Sequence, residues 1–143
     1  FFAAREPHSL PAATAAAKSA YRMAGIEAGG GSRGGRWSLP VDLVEVSADS
    51  TVGQLMVLEA LGLAEPGRAL DLYDGEAHGG LNPSGGSLPN DPVMATGLVR
   101  LHEVFRELSG RVPSSGTDAR RGLAHGTGGL GMQNHCVVTV ERA

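Results

Sequence analysis

Small and apolar residues recur at helical spacing near the start of the chain. Residues 11–24 are rich in alanine, the strongest helix former, and several of these alanines fall on one face. Pro11 suits a first helical turn, and Gly25 provides a stop. We therefore expect a helix whose small face packs closely against a sheet. The residues that follow, 29–40, are rich in glycine and are predicted to form a flexible loop.

A second helical pattern begins near residue 51. Thr51 and Gln54 have the spacing of a capping box, and Gly62 provides a stop. The apolar positions of this segment are Val52, Leu55, Met56, Leu58 and Leu61. This spacing predicts a helix that ends just before Gly62.

The third helical pattern is the clearest. Asp91 is the predicted N-cap, Pro92 fits the first turn, and Gly110 follows the last apolar residue. The apolar residues that recur at helical spacing are Met94, Leu98, Leu101, Phe105 and Leu108. We therefore expect a helix that starts at Asp91 and ends before Gly110.

Short runs rich in branched residues predict strands. Residues 41–46 have the composition of a buried parallel strand, and residues 120–125 and 135–141 are predicted strands joined by a glycine-rich turn at 126–131. Residues 64–90 show no long periodicity and are expected to form a loop with short extended pieces. The order helix, strand, helix, loop, helix, strand, strand predicts an α/β domain with an antiparallel end.

Composition narrows the class of protein. The 143 residues suffice for one domain over residues 1–143, and 41% hydrophobic with 19% charged residues predicts a globular chain. A net charge of -3 without a dense basic run argues against a nucleic-acid partner. No apolar stretch approaches the roughly 20 residues of a membrane span. The single cysteine, Cys136, excludes an internal disulfide and fits a reducing compartment, so we expect a cytoplasmic protein.

Four segments of the chain follow one another in the order found in thiolases. The most specific is Asn-Pro-Ser-Gly-Gly at residues 82–86 with Ala-Thr-Gly at 95–97. The other three are the helix end at 20–26, the strand-plus-helix unit at 41–63, and the glycine turn with its final strand at 125–140. Together they resemble the C-terminal part of a thiolase, of the type related to sterol-carrier-protein thiolases.

The resemblance implies a five-layered α-β-α-β-α protomer made of two similar halves. This chain would supply most of the second half and would be incomplete on its N-terminal side, consistent with its start at Phe1. The family's reaction is thiolysis or Claisen condensation of acyl-CoA thioesters, so a coenzyme A thioester is the expected substrate and no further cofactor is expected. The acylated cysteine of the family lies in the first half. Thiolases associate, so a homo-oligomer or a second thiolase-like subunit is an expected partner.

Several family motifs are altered in this chain. Members of the sterol-carrier type have a His-Asp-Cys-Phe run after the strand at 41–46, where this chain has Ser-Ala-Asp-Ser at 47–50. Their Asn-Glu pair corresponds to residues 53–54, and their Gly-His-Pro run to residues 90–92, which read Asn-Asp-Pro. The resemblance therefore implies that most of the usual catalytic groups have been replaced.

Two residues remain candidates for catalysis. His125 matches a histidine in the family's last glycine turn and could act as a base or hydrogen-bond donor; the alternative is a structural histidine at a strand end. Asp91 could pair with Asp49 for acid–base chemistry, or it could simply cap a helix. His78, His102 and His135 show no metal-like spacing with one another or with Cys136, so no metal site is expected.

The glycine turns are the predicted substrate-binding elements. Their backbone N–H groups could meet a thioester oxygen, and the residues concerned are Asn82, Gly85, Gly86, Gly128 and Gly129. The alternative is that both segments are simply tight turns.

Two functions follow from these observations. One is an enzyme domain acting on acyl-CoA thioesters, by acyl transfer or carbon–carbon cleavage; the other is a non-catalytic module that pairs with a complete thiolase or an acyl-CoA-binding partner. The altered motifs favour the module, whereas the retained glycine loops, which no structural need obviously demands, count against simple decay of an enzyme. A third possibility is that the chain is a fragment of a longer protein.

Overall fold

A three-stranded mixed sheet organises the residues that the computed structural model describes. Those residues are 6, 8–27, 32–33, 35–75, 79–111, 118–129 and 131–143. In chain order the elements are α1 (Pro11–Met23), β1 (Ser32–Arg33), β2 (Arg36–Trp37), β3 (Leu43–Val46), α2 (Thr51–Ala60), α3 (Asp71–Asp74), α4 (Thr96–Leu108), β4 (Arg121–Gly128) and β5 (Asn134–Glu141). The predicted α/β class is confirmed.

The main sheet has the strand order β3-β4-β5. β3 runs parallel to β4, with Val44 opposite Leu123, and β5 returns antiparallel, with Val137 opposite His125. On the outer side of β3, an isolated parallel bridge joins Val44 to Leu81. All four residues of β3 are buried, as predicted for a strand covered on both faces.

Two cores lie on opposite faces of this sheet. Val44, Val46 and Leu123 belong to the larger core, which includes buried residues of α1 and α2. Leu43 and Ala124 belong to the smaller core, which contains Val104 and Leu108 of α4. Neighbouring residues of a strand point to opposite faces of the sheet, so Leu123 belongs to one core and Ala124 to the other. Among the described helices, none is both long and apolar enough to cross a membrane.

The small face predicted for α1 is confirmed. Ala13, Ala17 and Ala20 are buried within α1 and join the larger core. Tyr21, in the last turn, is also buried, and its hydroxyl donates a 2.7 Å hydrogen bond to the carbonyl oxygen of Leu61. This bond ties the end of α1 to the end of α2.

The flexible loop predicted for residues 29–40 contains ordered structure. Its described residues include the two-stranded hairpin formed by β1 and β2, while residues 29–31 and 34 lie outside the described part. Trp37 is 7% exposed, and its indole nitrogen donates to the carbonyl oxygen of Val41 at 2.7 Å. The prediction of a flexible loop is wrong for these residues. It was based on the glycine content of the segment and did not consider that burial of the large Trp37 side chain would hold the backbone in place.

The predicted capping box of α2 is wrong in its details. Ser50 is the N-cap, and its hydroxyl accepts a 3.1 Å hydrogen bond from the backbone N–H of Gly53. Thr51 is the first helical residue instead. Gln54 is buried and bonds to the Tyr73 hydroxyl, so it does not reach back to the helix start. Tyr73 belongs to α3, a short helix inside the segment predicted as loop.

The predicted start of the third helix is also wrong. α4 begins at Thr96, five residues after Asp91, and no side chain caps it. Met94 has a positive φ of 71°, which interrupts helical geometry just before the helix. Asp91 instead accepts a hydrogen bond from the Thr96 hydroxyl. The helix end is as predicted, with Leu108 as its last residue.

α4 lies very close to β4. An ideal Cβ at Gly97 would lie 3.2 Å from the Gly126 Cα, and one at Gly126 would lie 2.9 Å from the Gly97 Cα. A Cβ on Gly122 would meet the Val104 side chain at 2.5 Å. The distance between helix and strand therefore leaves little room for a side chain on either side of this contact, and least at Gly122 and Gly126.

Candidate functional site

A polar cleft of about 170 Å³ lies where the parallel strands β3 and β4 end. It is lined by residues 47–49 after β3, by Asp91 and Thr96 before and at the start of α4, by residues 127–129 of β4 and its turn, and by Met132. In open α/β sheets, ligands bind outside the carboxyl ends of the strands. The cleft occupies that position, and Thr96 adds the positive end of the α4 dipole to it.

The floor of the cleft joins the two strand ends. The backbone N–H of Thr127 donates to the Ser47 hydroxyl at 2.8 Å, and the Ser47 N–H donates to the His125 carbonyl at 3.2 Å. Ser47 is 1% exposed. The Thr127 Oγ1 is buried and has no hydrogen-bond partner among the described residues. A residue that lines the cleft therefore carries a buried hydroxyl whose hydrogen-bonding capacity is unused.

His125 lies within the sheet and is not among the residues that line the cleft. It is 0% exposed, and its Nε2 lies 3.0 Å from Nδ1 of His135, whose own Nε2 lies 2.8 Å from the Met132 carbonyl oxygen. A carbonyl only accepts, so His135 must donate through Nε2 and accept through Nδ1 when neutral. His125 then donates through Nε2, and its unpartnered Nδ1 carries the lone pair.

The electrostatics of His125 follow from this arrangement. Burial lowers the pKa of His125 to about 3, with a further contribution from the neighbouring His135. Such an imidazole is neutral near neutral pH and is a weak base. The structure thus places His125 as a buried, hydrogen-bonded group in the interior of β4, and not at a strand end, because the strand continues to Gly128. Its catalytic role stays a prediction.

Asp49 and Asp91 both line the cleft, so the structure brings the two predicted carboxylates to one site. Both side chains are exposed. Asp49 accepts a 3.2 Å hydrogen bond from the Ser50 hydroxyl, and Asp91 accepts one from Thr96. Asp91 is therefore not an N-cap, and its carboxylate is held at the mouth of the cleft by the first residue of α4.

The two predicted glycine turns have different positions. Gly128 and Gly129 line the cleft, and a Cβ on Gly128 would meet no atom within 4 Å. Gly85 and Gly86 are not among the lining residues. Gly86 has a φ of +70°, and a Cβ there would lie 2.7 Å from the amide nitrogen of Asn82. The positive φ and the close contact with Asn82 explain why position 86 is glycine: it is part of a tight turn.

The loop that contains Asn82 is bonded along β3 and its continuation. The Asn82 N–H donates to the Val44 carbonyl, and the Asn82 Oδ1 accepts from the Val46 N–H, both at 2.7 Å. Further along, the Ser87 hydroxyl bonds to both the N–H and the carbonyl of Ala48 at 2.9 Å. The loop therefore supports the wall of the cleft from behind through Ser87, since Ala48 is a lining residue.

A buried ion pair behind the cleft was not predicted from the sequence. Arg100 of α4 lies 2.8 Å from the Glu45 carboxylate, with side chains 5% and 0% exposed. The Ser84 hydroxyl bonds to both partners, and its N–H donates to Glu45 at 2.9 Å. Burial raises the pKa of Glu45, while Ser84 and Arg100 oppose that rise. The available signal was a glutamate inside a strand predicted to be buried.

Other candidate groups lie away from the cleft. Cys136 is exposed and lines a separate cavity with Gly126 and Leu98, on the α4 side of the sheet. His78 lies outside the described residues. Within the described part of the chain, no group of three or more histidine, cysteine or acidic residues is arranged to hold a metal ion. Because Cys136 lines this other cavity, its thiol is not among the groups of the polar cleft.

Comparison with known proteins agrees with this fold. Residues 2–141 match the family model described as thiolase C-terminal domain-like, and the chain belongs to that family. The chain is 38% identical over 109 residues to Sterol carrier protein 2 of Gallus gallus. That match covers 70% of this chain but only 19% of the length of that protein. The resemblance inferred from the ordered motifs is thus confirmed.

Proposed function

We propose that the polar cleft binds the thioester end of an acyl-CoA within a thiolase-like protein, and that this chain contributes binding rather than the attacking thiol. The observation that supports this most directly is the buried, unpartnered Thr127 hydroxyl beside the open backbone of Gly128. A hydroxyl donor in a partly desolvated cleft can stabilise a carbonyl oxygen that gains negative charge. The name of the Gallus gallus relative, a sterol carrier, supports a lipid-like ligand for this chain.

The residues around the cleft suggest how such a ligand would be held. Thr127 would donate to the thioester oxygen, and the start of α4 would favour the partial negative charge on it. Asp49 and Asp91 lie at the same cleft and could take up or deliver a proton. No cysteine or histidine lines the cleft among the described residues. Acyl transfer or carbon–carbon cleavage would therefore need a nucleophile from outside this cleft.

Thr127→Val tests the proposal, with Thr139→Val as its matched control. Both residues lie on strands of the same sheet, and Thr139 does not line the cleft. Titration with decanoyl-CoA, followed by calorimetry, should show about a fivefold weaker Kd for Thr127→Val, the value of one net hydrogen bond. Equal affinities for the two variants, or no binding by the wild-type chain, would contradict the proposal.

A second candidate function is a non-catalytic module that pairs with another thiolase-like unit. The observation that favours it is the outer side of α4, where Leu98 is 71% and Phe105 48% exposed, next to Met94, which is fully exposed. Clustered exposed apolar residues commonly mark protein–protein contacts. Leu98→Glu should then lower the mass measured by sedimentation equilibrium without changing decanoyl-CoA affinity, whereas an unchanged mass would count against pairing through α4.

A further inference from the structure

A second cavity lies on the other side of the start of α2. This apolar slot has a volume of about 240 Å³ and is lined by Thr51, Gln54, Leu55, Leu70, Tyr73 and Leu88. It is formed between α2, the short helix α3, and the chain that follows the Asn82 loop. None of its lining residues lines the polar cleft.

Gln54 is the unusual residue of the apolar slot. It is only 6% exposed, and its amide nitrogen bonds to the Tyr73 hydroxyl. Its Oε1 is buried and has no partner among the described residues. If the amide were rotated by half a turn, the nitrogen would be unpartnered instead, so either orientation leaves one polar atom unsatisfied. Native proteins rarely leave such atoms unpaired, because desolvation is then uncompensated.

The missing partner must satisfy either an acceptor or a donor. A hydroxyl group can do both, and a single hydroxyl could also contact the nearby Tyr73 oxygen. No acidic or basic side chain is among the described residues that line the slot. A charged ligand group would therefore lose its hydration without gaining an ion pair. The chemistry of the slot favours a neutral ligand with one hydroxyl.

The walls of the slot define the rest of the ligand. Leu55, Leu70 and Leu88 provide the apolar surface, and Leu70 is 64% and Leu88 42% exposed. A volume of about 240 Å³ accommodates roughly eight groups of water size, at about 30 Å³ each. This is below the roughly 300–1,000 Å³ of pockets for drug-sized ligands. The slot is therefore smaller than a pocket for a drug-sized ligand, and an alkyl chain of medium length matches its volume.

We propose that the apolar slot is a binding site for a medium-length alkyl chain that carries one hydroxyl group. The ligand's hydroxyl bonds to the unpartnered amide atom of Gln54, and its alkyl chain covers Leu70 and Leu88. The slot is separate from the polar cleft, and its ligand needs no coenzyme A. A test with a simple alcohol is therefore independent of acyl-CoA binding at the cleft.

The probe is 1-heptanol, whose eight non-hydrogen atoms match the volume of the slot. Binding is followed by NMR through the methyl signals of Leu55, which lines the slot and is present in every variant, and we expect a saturable shift in the wild-type chain. Leu70→Glu places a carboxylate at the wall and should weaken binding by about tenfold or more, as expected for loss of a leucine contact. Val52→Glu is the matched control. Val52 lies on α2 and is 64% exposed, the same fraction as Leu70, but it does not line the slot.

Gln54→Leu separates the hydrogen bond from the apolar contact. It removes the amide but keeps a side chain of similar length, and it should weaken 1-heptanol binding by about fivefold. Equal affinities for Leu70→Glu and Val52→Glu would overturn the site, and an unchanged affinity in Gln54→Leu would overturn the role of the hydroxyl. A wild-type chain that shows no saturable binding, but self-associates through Leu70 in sedimentation, would show that the slot holds protein and not an alcohol.

Discussion

The polar cleft and the apolar slot lie on either side of the Ser50 cap of α2, yet they are built in different ways. The cleft is formed by strand ends, backbone hydrogen bonds and short polar side chains over a buried ion pair. The slot is formed by side chains that project from two helices and a loop. Its leucines at the rim are largely exposed. The comparison suggests that the shape of the cleft depends on folding as a whole, whereas the slot can change with little cost to stability.

The largest effect is expected where charge is buried behind the cleft. Arg100→Met leaves Glu45 without its partner and should lower the free energy of unfolding by about 3–5 kcal/mol. Arg106→Met, which breaks the partly exposed pair with Glu103, should cost no more than about 1 kcal/mol. Urea denaturation measures both. If the double variant Glu45→Met/Arg100→Met is no more stable than Arg100→Met alone, the unpaired charge is not the cause.

The next effect concerns the turn that supports the cleft wall. Gly86→Ala must adopt a positive φ and also crowds Asn82, so it should destabilise the chain by about 1–3 kcal/mol. Gly67→Ala has a similar φ of +76° but meets no atom within 4 Å. Thermal unfolding of both variants therefore isolates the crowding, and equal losses would show that Asn82 moves aside freely.

A pH-dependent effect, which is small only near neutral pH, is expected from His125. Its pKa is lowered to about 3 in the folded chain, against about 6.5 when unfolded. Between these values the unfolded chain binds a proton that the folded chain does not, so stability falls as pH decreases from about 6.5 toward 3. The contribution is about 1.4 kcal/mol per pH unit between pH 6 and 5. Urea denaturation of His125→Gln should show a shallower pH dependence; the same slope as wild type would contradict the buried neutral imidazole.

The smallest effect is expected at the rim of the slot. Leu70→Glu and Val52→Glu should each change the free energy of unfolding by no more than about 0.5 kcal/mol, because both side chains are mostly exposed. Chemical denaturation under identical conditions provides the measurement. A loss at Leu70 comparable to that of Arg100→Met would show that the slot, like the cleft, is part of the folding core.

Much of the fold was predictable because its signals are local. The alanine face of α1, the buried strand β3 and the end of α4 before Gly110 all follow from spacing and composition over a few residues. The helix starts were less predictable. Ser50 caps α2 and not Thr51, and the backbone of Met94 delays α4, since neither cap preference nor periodicity reveals a single unusual φ.

The candidate site was predictable only in part. Asp91, Gly128 and Gly129 were singled out by sequence, and they line the cleft. The contact between Glu45 and Arg100 joins residues 55 positions apart, and that between Gln54 and Tyr73 depends on how a loop folds back. Spacing along the chain holds no information on such partners. Thr127 was missed for the same reason. Its hydroxyl stands out only because it is buried without a hydrogen-bond partner, which the sequence does not reveal.

The close approach of Gly97 and Gly126 has a consequence for engineering. Gly97 follows Thr96, which lines the cleft, so the distance between α4 and β4 also sets the position of one cleft wall. The two positions are mutually constrained, and neither can accept a methyl group unless the other remains glycine and the helix moves outward. A library that varies one of the two positions at a time, with the other kept as glycine, would therefore adjust the width of the cleft while leaving the residues that line it unchanged.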